Sequence, residues 1–157
     1  MTDMQEAPGD VVMTRIGQAM MLLHGGDREE ARNRFAALWS EIGERGEALH
    51  RCTLAHYMAD AQDDAGDELA WDLRALAAAD GLRQDRLTAH RASLAVRAFY
   101  PSLHLNLAAD YAKLHRPAEA RLHLDRAHAA LDVLNDDAYG NDIREALRRL
   151  ERQLDAV

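Results

Sequence analysis

A chain of 157 residues is long enough to bury one substantial core without disulfides or metals to hold it, so a single domain is expected. Its 27 acidic and 19 basic residues leave a formal charge of −8, which repels a nucleic-acid backbone, and no run of Lys or Arg offsets it. The lone Cys52 has no internal partner, no apolar run approaches the ~20 residues of a membrane span, and MTDMQEAPGD is acidic where a signal peptide is basic; a soluble cytoplasmic protein is expected, with no nucleic-acid or membrane partner.

Ala and Leu supply most of the apolar residues while Val, Ile and Thr are scarce, a balance that favours helices. After a tail over residues 1–8, expected to be flexible, Val12, Ile16, Met20 and Leu23 recur at helical spacing up to Gly25-Gly26. Asp27 and Glu30 have capping-box spacing ahead of a second helix, with Ala31, Phe35, Leu38, Trp39 and Ile42 on one face, ending at Gly43 to Gly46. Leu49, Cys52, Ala55 and Met58 line a third helix. Beyond the polar loop 62–66, Leu69, Leu73 and Leu76 line a fourth that stops near Asp80-Gly81. A fifth runs from about Arg83 to Ala98, and Pro101 predicts the start of a sixth, since proline suits a helix's first turn. A seventh begins at Pro117. The eighth presents Ile143, Ala146, Leu147, Leu150 and Leu154 on one side, leaving Arg144, Arg148, Arg149, Glu151 and Arg152 for water.

The hairpin LHLNLAADYAKLHRPAEARLHLDRA, Leu103 to Ala127, carries Leu107-Ala108 and Tyr111 on its first helix and Ala120, Leu124 and Ala127 on its second. The first hairpin repeats the spacing with Ala19, Leu22, Gly26, Ala31, Phe35 and Leu38. The middle one matches at Leu54-Ala55 and Met58, then needs a loop about two residues longer. This small-and-large spacing resembles the tetratricopeptide repeat (TPR) family. The resemblance implies an all-α fold of antiparallel helix hairpins, stacked as a short right-handed solenoid over residues 9–156 and closed by a C-terminal capping helix.

The resemblance also implies a concave groove lined by the first helix of each pair. Its partner-binding residues are then Met20, Leu23, His24, His56, Asp60, Leu105, Asn106, Ala109 and Lys113, with Cys52 also on that side. Asn106 occupies one Asn position of the carboxylate clamp found in some members. Ile16 and Met20 stand at the matching positions of the first hairpin and donate no hydrogen bond, so the clamp is not expected and Asn106 is read as bonding a neighbouring helix.

No histidine pair has the same-face spacing of a helical zinc site; convergence of His56, Asp60, His104 and Asp110 between helices is the remaining route to one. Glycine-rich phosphate loops and nucleophile motifs are missing, and Cys52 lies on an apolar face where burial is expected. Trp71 and Tyr100 are candidate interface anchors, with core packing as the alternative. The expectation is a non-enzymatic scaffold for a peptide or partner protein, with no cofactor, no metal and no catalytic residue. A self-associating homodimeric module is the first alternative, and an enzyme built on a His/Asp groove site the second.

Overall fold

The computed structural model describes residues 8–43, 45–84 and 89–156, with side chains over 11–43, 45–81 and 97–156. Among them are seven α-helices: α1 Pro8–His24, α2 Arg28–Ile42, α3 Ala48–Asp60, α4 Ala65–Gln84, α5 Ala89–Lys113, α6 Pro117–Ala129 and α7 Ala138–Asp155, with a 3-10 turn at Leu131–Val133. No strand occurs among the described residues. The tail expected to be flexible lies, through Ala7, outside them, and Pro8 opens α1.

Consecutive helices pack as antiparallel neighbours, and α1 also touches α3, α3 touches α5 and α5 touches α7. The odd-numbered helices therefore form one continuous layer. The apolar residues divide into three successive cores: Ile16, Ala19, Phe35 and Leu38 with Leu54 and Met58; Cys52, Ala55, Ala75 and Ala79 with Leu103; and Ala108, Ala120 and Leu124 with Ile143, Leu147 and Leu150. The expected burial of Cys52 is met, and desolvation pushes its thiol up to about 12, which leaves it inert at neutral pH.

The turns of the first and third hairpins are closed in the same way. After α1, Asp27 N donates to Leu22 O (2.9 Å) around Gly26 at φ +92. After α5, Arg116 N donates to Tyr111 O (2.9 Å) around His115 at φ +59. Both are Schellman closures, which place one residue in the left-handed region where glycine is least strained. His115 itself adopts that conformation.

Four expectations from the sequence need correction. Asp27 makes no side-chain capping bond, although Glu29 and Glu30 still favour the positive end of the α2 dipole. The fourth helix does not stop at Gly81: one glycine costs only about 1 kcal/mol in a helix, and α4 continues to Gln84. Its buried side is only partly the Leu69–Leu73–Leu76 row, of which Leu76 packs against the second core. Leu73 is exposed, while Asp72, Ala75, Ala78 and Ala79 turn inward. Finally, the expected fifth and sixth helices are one, α5, running through Pro101. Proline removes one helical amide, and the neighbouring Ser102 Oγ donates to Phe99 O (3.0 Å) while the ring is fully buried.

Polar contacts fasten the joints. Arg28 and Arg32 of α2 both reach Asp63 in the α3–α4 loop, at 3.1 and 2.9 Å. Asp137 caps α7 by accepting from Gly140 N (2.8 Å). Trp71 of α4 packs edge-on against Trp39 of α2, ring centres 5.1 Å apart, so it serves core packing.

Candidate functional site

Three helices each present a polar stripe of same-face residues to the junction of α3, α4 and α5. From α3 come His56 and Asp60, from α4 Glu68 and Asp72, and from α5 Asn106, Asp110 and Lys113. At the centre stand Asp72 and Asp110, each 1% exposed. Both carboxylate oxygens of Asp72, and Oδ2 of Asp110, have no hydrogen-bond donor. One carboxylate oxygen from each of Glu68, Asp72 and Asp110 lies within 4.8 Å of the others.

Two buried carboxylates whose oxygens lie within 4.8 Å cannot both be ionised without large repulsion. Burial first, then the hydrogen bond and charge of Asp110, hold Asp72 far above the ordinary carboxylate range. Burial raises Asp110 as well, against the hydrogen bond from Asp72 that favours its ionised form. Asp72 is thus the member of the pair that keeps its proton at neutral pH.

The surroundings grade from this dry centre to a wet rim. His56 Nδ1 lies 4.0 Å from Asp72 Oδ1, and Asn106 Nδ2 is placed to donate to the same nitrogen at 3.4 Å. That bond puts the proton of the neutral ring on Nε2. Burial lowers His56 to about 4, so it is uncharged at neutral pH. Lys113 Nζ donates to Glu68 Oε1 (2.8 Å) across the mouth, with its side chain 55% exposed. Asp60 keeps a solvent-exposed edge, yet desolvation and then Glu68 raise it to about 6, against the opposing pull of His24, Arg28 and Lys113.

The residues expected to line a groove separate into two groups. His24, His56, Asp60, Asn106 and Lys113 gather on and around this junction, and Asn106 makes the interhelical bond expected of it. Met20 and Leu23 are half-buried against the α1–α2–α3 core, and Leu105 and Ala109 against the α5–α6–α7 core. The four residues named for a convergent His/Asp site do not share one environment. Asp110 belongs to the acidic centre, whereas His104 stacks between Tyr100 and His123, at 5.9 and 5.2 Å. The sequence reading missed Glu68 and Asp72, whose spacing on α4 matches that of His56 and Asp60 on α3.

His104 belongs to a second polar region toward the start of α5. His104 Nδ1 and His123 Nδ1 are 3.0 Å apart, and Tyr100 Oη donates to Asp80 Oδ1 at 2.6 Å. Tyr100 and His104 also border a cleft of about 590 Å³ shared with Asp80, Arg97 and Arg126. Its basic and acidic residues are mixed, so it has no single charge preference.

No protein-family model matches the chain, and neither the curated proteins nor the solved structures include a significant match. Among the described residues no helix is long and apolar enough to cross a membrane.

Proposed function

We propose that the chain is a TPR-like, non-enzymatic scaffold that holds a segment of a partner protein across the layer formed by α1, α3 and α5. The observation that carries this reading is the convergence of His24, Asp60, Asn106 and Lys113, from three helices, on the rim of a buried acidic pair. Buried charges that lack full compensation cost stability, and such groups concentrate where a protein recognises something. Because Met20, Leu23, Leu105 and Ala109 already pack on the cores, the recognition proposed is mainly polar, directed at charged and hydrogen-bonding side chains of the partner.

The test is a photo-crosslinking amino acid placed in turn at His24, at Lys113 and, as a control, at exposed Arg148 on α7, with the adducts from native cells identified by mass spectrometry. Both rim positions should capture the same protein and the control should not. Equal capture from all three positions, or none from the rim, overturns the reading. Capture of a second copy alone would establish the self-associating alternative in its place.

A further inference from the structure

We propose that Glu68, Asp72 and Asp110 form a binding site for one divalent cation of the hard, oxygen-preferring class. Oxygen ligands around Ca²⁺ lie at about 2.3–2.6 Å from the ion, and those around Mg²⁺ at about 2.0–2.1 Å. Donors on opposite sides of a calcium-sized ion are therefore up to about 5 Å apart. The three carboxylates already offer oxygens within 4.8 Å of one another, so such an ion enters without moving the helices.

Acidic clusters are common on protein surfaces, but this one is not of that kind. Asp72 and Asp110 are each 1% exposed, and three of their carboxylate oxygens meet no donor. Polar atoms in such positions are normally satisfied, and an orphan calls for a partner. A role in packing alone is better served by apolar side chains of similar volume.

The arrangement also provides entry and orientation. Glu68 and Asp72 lie one helical turn apart on α4 and reach the ion from one side, while Asp110 on α5 reaches it from the other. The ammonium of Lys113 already stands at the site, 2.8 Å from Glu68 Oε1. Its exposed side chain is free to swing out, which would leave Glu68 to the metal and Lys113 to the partner-binding rim. His56 Nδ1, 4.0 Å from Asp72 Oδ1, is already engaged by Asn106, so the donors of the site are the three carboxylates. Mn²⁺ shares the carboxylate preference of Ca²⁺ and Mg²⁺ and is visible by electron paramagnetic resonance, so it is the probe of choice.

The experiment uses the full chain, stripped with EDTA and titrated with Mn²⁺, with free ion followed by electron paramagnetic resonance and binding by calorimetry. Wild type should bind one equivalent with a Kd of about 100 µM or tighter, and Asp72→Asn and Glu68→Gln should each weaken it at least ~10-fold. No saturable binding below about 1 mM overturns the site, as does binding unchanged in both variants, which would place the ion on surface carboxylates. Should Asp72→Asn fail to fold, Glu68→Gln decides alone, because Glu68 is partly exposed at the mouth and its side chain is not enclosed as that of Asp72 is. Loss of the metal result leaves the crosslinking result standing, so the cation site and the partner-binding surface fail separately.

Discussion

Asp72 on α4 and Asp110 on α5 meet inside the three-helix junction, each 1% exposed, and neither oxygen of Asp72 receives a hydrogen bond from any donor. Around it Lys113 is ion-paired with Glu68, burial keeps His56 uncharged, and burial first, then Glu68, raises Asp60. The fold tolerates the pair by retaining a proton. A cation or a partner's charge would relieve it further.

The α5–α6 turn carries strain that can be removed. His115 occupies the left-handed region at φ +59, a conformation costing a side-chain-bearing residue roughly 1 kcal/mol more than glycine. Its imidazole is exposed, so little packing is lost on truncation. Urea unfolding of His115→Gly should show a gain of about 1 kcal/mol, and a loss would mean that the histidine side chain contributes a contact outweighing the backbone strain.

Gly140 in the first turn of α7 is fixed by space rather than by dihedral angle. A Cβ there would stand 2.2 Å from the backbone oxygen of Asn135. That oxygen belongs to the chain entering the Asp137 cap and has no flexible side chain with which to yield. Gly140→Ala should therefore destabilise the protein by about 2 kcal/mol or more, read as a fall in the urea midpoint. An unchanged midpoint would show that the α6–α7 connection shifts freely.

The buried histidines should remain neutral well into acid. Burial lowers His56 to about 4; burial first, then the proximity of His123 and Arg126, lowers His104 to about 4. A base whose folded pKa is depressed contributes full stability above its unfolded value, near 6.5, and loses it as pH falls toward the folded one. Each ring can account for up to about 3 kcal/mol over that interval. The raised carboxylates act in the opposite direction, so the net acid dependence should be shallow. Histidine ring resonances followed by NMR should show no titration of His56 or His104 above about pH 5, and midpoints near 6.5 would refute the burial argument.

Much of the fold was legible because it rests on local signals. Gly26 marked a real helix end, Pro117 a real start, and Ile143, Leu147, Leu150 and Leu154 a real buried face. The reading failed where alanine and acid replaced leucine on a buried side, as on α4, because periodicity of large apolar residues then points at the wrong face. It failed at Pro101 because tertiary burial overrode the local preference of proline. The acidic centre was half legible. His56, Asp60, Asn106 and Lys113 follow from the resemblance to tetratricopeptide hairpins, which puts the first helices on a groove, whereas Asp72 and Glu68 sit on a second helix and meet Asp110 only through tertiary packing. The one local signal was their same-face spacing, repeated in polar pairs on three helices.

The central claim is that Asp72 is kept for what the junction binds and at some cost to stability. The most direct measurement is urea unfolding of wild type and Asp72→Asn at pH 8 in EDTA, repeated near pH 4. A carboxyl whose folded pKa is raised supplies its stability fully below the unfolded value of 3.8 and loses it as pH rises, whereas the isosteric Asn donates to Asp110 at every pH. Asp72→Asn should therefore be more stable than wild type by about 1 kcal/mol or more at pH 8, with the difference shrinking toward pH 4. A variant less stable than wild type at pH 8 would contradict the account and make the pair a structural clasp between α4 and α5.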